Sequence, residues 1–405
     1  MTLANVVVSG LSSTRIEAAK IEHFDAQQSK QLLQLLDEFA DRFSDKLGLC
    51  DAAVHRIQTT SDFVPRQMRP YRVPDKFKPV VDRQIAQLLE MGLIRPSNSL
   101  MASLIVCVAK RDGVRLAVDY RYLNKYTVGD AYPMSTIDEV VRSIGRGSFI
   151  STFDAISGYW QLLVAPEDRW LTAFLTHEGL FEWVRMPFGL KNAGATFMRA
   201  VRTVLQPIRT YPSSYIDDMA VGSCGWLKHL AHVRQFLLLM RNAGITLNLA
   251  KCEFAKSQVK FVGRIVGSGT HQPDPERAEE LVRVEPLTTK KQLCQILGAL
   301  GYYREYVPRY AEMAKPLTYL TRDCVPCKLG KLWTEECQSA LDSLCQQLTS
   351  HRVLRVPSEG QPFILHTDSC GKAVGASLGQ LDGDGDGVEQ PLAFVSQKLT
   401  PAQQL

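Results

Sequence analysis

The sequence predicts an α+β fold, and three observations carry that reading. Segments with apolar residues at helical spacing alternate with short apolar runs of strand character. Two turn signals, Asp112-Gly113 and Glu178-Gly179, sit between such runs and predict antiparallel hairpins. The chain is 405 residues long, 45% hydrophobic and 22% charged, the composition of globular protein at a length that exceeds one ordinary domain.

Element by element, "SKQLLQLLDEFADRF" predicts an amphipathic leader helix within residues 1–50. "HRIQTTSDFVPRQMRPYRVP" is rich in Pro and Arg and reads as extended. "FKPVVDRQIAQLLEMG" is a helix that stops at Gly92. "ASLIVCVAKRDGVRLAVDYRYLN" is a hairpin, "STIDEVVRSIGRG" a helix capped by Ser135 or Thr136, and "GSFISTFDAI" a strand. After the Glu178-Gly179 hairpin, "NAGATFMRAVRTVLQPI" is a helix broken by Pro207, and "LKHLAHVRQFLLLMRNAG" is another. Beyond residue 275 the chain is mostly helical until "PSEGQPFILHTDSCGKAVGASLGQ" opens a strand-rich unit.

Composition narrows the function classes. The formal net charge of +5 permits a nucleic-acid partner without demanding one. No apolar run approaches the ~20 residues of a membrane span, and the N-terminus lacks a secretory signal. Ten scattered cysteines without a dense framework read as reduced thiols of an intracellular, cytoplasmic protein. Cys324 and Cys327 have zinc-like spacing but no second ligand pair, so they read as loop cysteines. His229 and His232, at i and i+3, read as a helix face because no carboxylates join them. "DGDGDG" at 382–387 starts like a calcium loop, but the twelfth position is Ala393 rather than Glu, which leaves a hairpin connection.

The chemistry concentrates in "SSYIDDMAV". Along a straight strand Asp217 and Asp218 would point to opposite faces, which would force one charge toward the core. A hairpin with a tight turn presents both at one edge instead. Asp154, at the end of the strand "SFISTFD", can lie beside that edge. Three converging carboxylates repel unless cations neutralise them, and Mg²⁺ is a hard ion held by carboxylates together with substrate phosphates. Two such ions ~3.5–4 Å apart stabilise the attacking and leaving oxygens of phosphoryl transfer.

Taken with "PYRVP", "LLEMGLIRPSNS", "VAKRDGVRLAVDYRYLNKYT", "YPMSTIDEV", "STFDAISGYWQL", "MPFGLKNAGATF", "LNLAKCEF", "KFVGRIV" and "LGALGYYREYVPRYAEMAKPL", the string "YIDDMAV" completes an ordered series. In that series, from His55 to Leu405, the chain resembles reverse transcriptases of gypsy-type LTR retrotransposons. The resemblance implies a right-hand polymerase of fingers, palm and thumb, followed by a helical connection and a truncated RNase H-like α/β domain. The implied boundaries are a leader over 1–50, fingers and palm over 51–275, thumb and connection over 276–358, and the RNase H-like part over 359–405.

The resemblance also implies roles. Asp154, Asp217 and Asp218 would be catalytic, holding two Mg²⁺ ions for which Mn²⁺ can substitute. Lys110 and Arg115 would hold the incoming triphosphate; a solvated basic turn is the plainer reading. Tyr159 resembles the steric gate that crowds a ribose 2′-hydroxyl, against the plainer reading of a core aromatic. Phe188 and Gly189 would line the nucleotide pocket, and Lys251 would lie near the triphosphate. Phe261, Val262 and Gly263 would grip the primer end, while Arg121 and Asn124 would be framework. Asp368 would be the first metal ligand of the RNase H-like part. The downstream glutamate of that part would fall beyond Leu405, so no RNase H activity is expected of this chain alone.

The implied partners are an RNA template, a DNA primer, RNA–DNA hybrid, deoxynucleotides and the remainder of a Pol polyprotein, with no membrane. A competing reading is a catalytically degenerate or co-opted copy that binds nucleic acid without catalysis. "NSLMAS" and "HTDSCGKAVGASLGQ", which depart from the usual strings, favour it; the three intact aspartates oppose it.

Overall fold

The computed structural model describes residues 23–44, 46–68, 74–110, 113–133, 136–282, 287–350, 352–370, 373–381, 387–400 and 403. The chain forms two compact units. The first takes residues up to Val140 together with Ser151–Ala255, and the second takes Val141–Ile150 and Lys256–Leu405.

Besides a two-stranded parallel sheet of Val54–His55 with Leu163–Val164, the first unit holds two larger sheets. One has five strands in the order Ile94–Pro96, Leu180–Trp183, Phe174–Leu175, Ser103–Lys110 and Gly113–Asp119. The last two form the expected hairpin, with Lys110 opposite Gly113; residues 111 and 112 lie outside the described residues. The Glu178-Gly179 hairpin also forms, closed by Thr176 N–H donating to Gly179 O at 2.9 Å. The helix Lys78–Glu90 buries Val81, Ile85 and Leu88, spaced one turn apart, and the chain leaves it through Gly92 at φ +64°.

The second sheet runs Glu253–Lys256, Phe149–Asp154, Asp218–Ser223, Pro212–Tyr215. Its apolar positions meet the helices Ala193–Leu205 and Trp226–Asn242. Phe153 stacks on Phe236 at 4.3 Å and meets the edge of Phe254 at 5.9 Å. The leader helix Ala26–Glu38 is started by a capping box between Asp25 and Gln28. It buries Leu32, Leu35 and Leu36 in this same core, and Trp226 Nε1 donates to Gln31 at 2.7 Å. Thr136 caps the helix Ile137–Gly145 reciprocally with Glu139, and Ser135 lies outside the described residues.

Two buried histidines tie this unit to pH. His55 Nδ1 lies 2.9 Å from Thr196 Oγ1. His229 turns inward from its helix and bonds Ser151 Oγ at 2.8 Å and Ser223 Oγ at 3.1 Å; His232 stacks on Tyr211 at 3.6 Å. The predicted helix face is therefore an inward face. Burial pushes each of His55 and His229 from 6.5 down to about 4. A depressed folded-state pKa means the stabilisation is complete above about 6.5 and is lost as pH falls toward 4. His229→Asn should therefore shrink the drop in urea-unfolding free energy between pH 7.5 and 4.5 by roughly 2 kcal/mol. An unchanged drop would show that His229 is not held neutral.

The second unit begins with an antiparallel sheet of Gln258–Phe261, Arg264–Gly267, Thr270–Pro273 and Leu354–Arg355. The helices Pro275–Val282, Lys290–Tyr302 and Glu335–Thr349 enclose a second core around Leu293, Leu300, Leu317, Leu344 and Leu348. Thr289 and Gln292 box the start of the middle helix. A three-stranded sheet, Ile364–Cys370, Ala373–Leu381 and Glu389–Lys398, closes the unit. Leu381 pairs with Glu389, so the "DGDGDG" segment is a hairpin connection, although residues 382–386 lie outside the described residues. All ten cysteines are free thiols. No helix among the described residues is long and apolar enough to cross a membrane.

Candidate active site

The string "SSYIDDMAV" folds as a hairpin. Pro212–Tyr215 and Asp218–Ser223 pair antiparallel with Tyr215 opposite Asp218, which leaves Ile216-Asp217 as a two-residue turn. Ile216 adopts φ +53°, a strained value for a β-branched residue. Its N–H meets Met198 Sδ at 2.9 Å. The turn puts Asp217 at the tip and Asp218 on the exposed first position of the strand behind it. The strand ending in Asp154 is that strand's neighbour.

Backbone bonds fix Asp154 in turn. Its carbonyl accepts from Asn248 N–H at 2.8 Å, and Ala155 bridges to Leu247. Gln161, fully buried, locks the segment that follows. Its Nε2 donates to Ile156 O at 2.8 Å and Thr246 O at 2.9 Å, and its Oε1 accepts from Thr246 N–H at 2.8 Å. Sequence reasoning did not single out Gln161; its place in "GYWQL", two residues after Tyr159, was the available signal.

The electrostatics show a site lacking positive charge. Asp217 is raised from 3.8 to about 6, first by burial, then by the charges of Asp218 and Asp154. Asp218 is raised first by desolvation of its carboxyl and then by the Asp154 charge, and Asp154 is raised by burial against the opposing pull of Lys251. Asp217 Oδ1 is buried without a hydrogen bond. Lys251 Nζ stands 3.3 Å from Asp154 Oδ2, and this ammonium partly offsets the cluster. A buried acceptor without a donor, among carboxylates that resist ionisation, fits hard divalent cations. Among the described residues, the group whose ligand atoms all lie within 4.8 Å of one another is a different one, Asp82, His177 and Glu178. There the His177 Nε2 to Asp82 Oδ1 contact of 2.7 Å is accounted for as a surface ion pair.

Tyr159 stacks on Phe188 at 5.0 Å and tilts on Phe197 at 5.6 Å. Burial and the nearby Asp217 charge push its phenol up to about 12. Gly189 has φ +93°, and its carbonyl accepts from Asn124 Nδ2 at 2.8 Å; Asn124 Oδ1 accepts from Lys191 N–H at 2.8 Å. Asn124 thus holds the "FGLK" segment in place, and Arg121 is paired with Asp119 at 2.6 Å. Lys110 and Arg115 lie on the two strands of the Asp112-Gly113 hairpin, and their side chains are outside the described residues. In the second unit, Phe261 is buried while Val262-Gly263 form the turn after it. Asp368 is exposed on the first strand of the last sheet and lines a cavity of about 220 Å³ with Arg309, Glu312 and His366.

A strand-end aspartate beside an Asp-Asp hairpin, backed by two helices, defines a right-hand nucleotidyl polymerase palm. Residues 108–266 match the family "Reverse transcriptase (RNA-dependent DNA polymerase)", and residues 333–405 match the "RNase H-like domain found in reverse transcriptase". The chain is 31% identical to the Pol polyprotein of transposon 297 of Drosophila melanogaster, over 94% of this chain and 36% of the relative. It is 34% identical to that of transposon opus of the same organism, over 95% of this chain and 39% of the relative. The Tf2-3 polyprotein of Schizosaccharomyces pombe is 30% identical over 86% of this chain and 26% of its own length. Foamy viral protease-reverse transcriptase, solved with an RNA/DNA hybrid, shares the fold at a TM-score of 0.83 and 24% identity, over 96% of this chain and 52% of that one. The same enzyme solved with double-stranded DNA also gives 0.83, covering 98% and 71%. The chain carries a reverse transcriptase domain followed by an RNase H-like one, and it is similar to retrotransposon Pol polyproteins whose names fit the gypsy type. It spans about two fifths or less of the length of these curated relatives.

Proposed function

We propose that this chain catalyses RNA-directed DNA synthesis, adding deoxynucleotides to a primer 3′-hydroxyl on an RNA or DNA template. The observation that supports it most is the buried, unbonded Asp217 carboxyl beside Asp154 and Asp218 at one sheet edge. When bound there, two Mg²⁺ ions would neutralise the charge that develops on the attacking and leaving oxygens, and Mn²⁺ can replace them. Asp154 and Asp217 are the direct ligands in this reading, with Asp218 more peripheral.

The chain's own residues do the rest. Lys251 yields its hold on Asp154 and turns toward the triphosphate of the incoming nucleotide. Lys110 and Arg115, on the hairpin strands, hold phosphate oxygens by charge-assisted hydrogen bonds. Tyr159, braced by Phe188, bounds the sugar pocket with Gly189 beside it, and the Phe261-Val262-Gly263 turn holds the primer end. Asp368 would serve a separate hydrolytic centre.

Primer extension on poly(rA)–oligo(dT) tests the proposal. The expected result is Mg²⁺-dependent extension that is lost with EDTA and restored by Mg²⁺ or Mn²⁺. A folded protein that binds this template yet adds no nucleotide under either metal would overturn it in favour of a nucleic-acid-binding copy without catalysis.

A further inference from the structure

The aromatic residues of "LGALGYYREY" cluster where the helix Lys290–Tyr302 ends. The structure puts them against the turn read as the primer grip. Phe261 pairs with Arg264, so Val262-Gly263 is a two-residue hairpin turn. Both residues have positive φ, +47° at Val262 and +71° at Gly263. Hairpin turns of this kind favour Asn-Gly, because asparagine and glycine tolerate the left-handed region. Valine does not: its branched Cβ collides with the backbone there. Some other contact must hold it.

Two phenols supply that contact. Tyr302 Oη donates to Val262 O at 2.7 Å, and Tyr303 Oη donates to Gly263 O at 2.9 Å. Consecutive tyrosines thus bind consecutive carbonyls. They sit where the helix Lys290–Tyr302 ends, with their rings edge to face at 4.8 Å. Gly263 O also accepts from Asp274 N–H at 3.1 Å. Behind them Arg264, 4% exposed, pairs with Glu305 at 2.8 Å and spreads its guanidinium over Tyr302 and Tyr306. Tyr306 Oη in turn lies 2.6 Å from His271 Nδ1. A Cβ on residue 263 would come within 2.9 Å of Tyr303 Oη, so glycine is required by both φ and space.

We propose that Tyr302 and Tyr303 are positioning residues that clamp Val262 and Gly263 in the left-handed form, so that the turn's backbone presents the primer 3′-hydroxyl in line for attack. This rests on the primer-grip reading of Phe261–Gly263. Without the phenol hydroxyls Val262 relaxes toward ordinary φ, the turn shifts, and the hydroxyl it holds shifts too. A displacement of about 1 Å at a reacting atom is enough to slow chemistry up to 10²-fold while leaving binding intact.

The test uses single-nucleotide incorporation with Tyr302→Phe/Tyr303→Phe, together with primer–template Kd and thermal unfolding. The expected result is an incorporation rate reduced at least about tenfold, with Kd within about twofold of the parent. Val262→Asn placed in the same double variant should recover most of the rate, because Asn-Gly takes up this turn without a clamp. A brace that matters only for folding would lower the melting temperature without this rescue, and that outcome overturns the proposal, as does weakened Kd that accounts for the whole loss. If the double variant fails to fold, each single variant is judged by the same criteria. Parental rates in the tyrosine variants with a slow Gly263→Ala variant reject the clamp and leave the grip standing. Parental rates in all of them reject the grip reading itself.

Discussion

Asp217→Asn should abolish nucleotide addition and at the same time raise the melting temperature of the metal-free protein. Both effects come from one feature. The Asp217 carboxyl is raised from 3.8 to about 6 by burial and by the Asp218 and Asp154 charges. An acid with a raised folded-state pKa favours folding while protonated; that contribution is lost as pH rises from about 4 through 6. At neutral pH the ionised group then opposes folding by at most about 3 kcal/mol. Asparagine keeps the shape and removes the charge, so thermal unfolding in EDTA should move up by several degrees. The same substitution removes an anionic oxygen that would face the metal. Loss of that ligand should cost at least about 10³ in incorporation rate, equivalent to about 4 kcal/mol of transition-state stabilisation. Addition of Mg²⁺ should stabilise the parent and have much less effect on the variant. A variant that extends primers within tenfold of the parent would remove Asp217 from the chemistry. One that is less stable in EDTA would show that the carboxyl is not strained.

Much of this arrangement was legible in the sequence, for reasons that differ between elements. Helices whose ends carry chemical punctuation were readable: Gly92 stops one at positive φ, and Thr136 caps another. The Glu178-Gly179 hairpin was readable because its turn residues leave little choice of conformation. The Asp217-Asp218 turn was readable for the opposite reason. Its strand-like flanks would drive a charge into the core unless the chain turned, and the chain does turn, through the strained Ile216. What the sequence did not reveal are contacts made across long separations. Gln161 meets Thr246 85 residues away, a partner that "GYWQL" alone does not reveal. Lys251 was read as a triphosphate contact, whereas here it pairs with Asp154; both follow from one ammonium near one anionic site, and only geometry shows which anion it meets. His229 and His232 share a helix face as expected, but periodicity alone did not show that the face looks inward. The tyrosines of "GYYREY" carry no assigned role in the sequence, and their hydroxyls acquire a task only when the turn 40 residues upstream folds against them.

Tyr159→Ala should erode the choice between deoxynucleotides and ribonucleotides. The ring is held flat against Phe188 at 5.0 Å and is pinned from the other side by Phe197, so it cannot swing away to admit a larger sugar. A Cβ at position 194 would stand in ordinary contact, 3.5 Å, with the Tyr159 hydroxyl. Its phenol is only partly enclosed and feels the Asp217 charge, which places the ring's polar end at the carboxylate site rather than in the middle of the core. A 2′-hydroxyl is the one atom by which the two sugars differ, and steric exclusion discriminates through the transition state rather than through binding alone. Removing the ring should therefore raise the efficiency of ribonucleotide addition about 100-fold relative to deoxynucleotide addition, while deoxynucleotide addition falls less than tenfold. Tyr159→Phe keeps the ring and should keep the discrimination, which separates bulk from hydrogen bonding. The opposite pattern, equal losses for both sugars with no change in their ratio, would mean that Tyr159 supports the fold around Asp217 and does not select the sugar. Loss of discrimination in Tyr159→Phe as well would transfer the role from the ring to its hydroxyl.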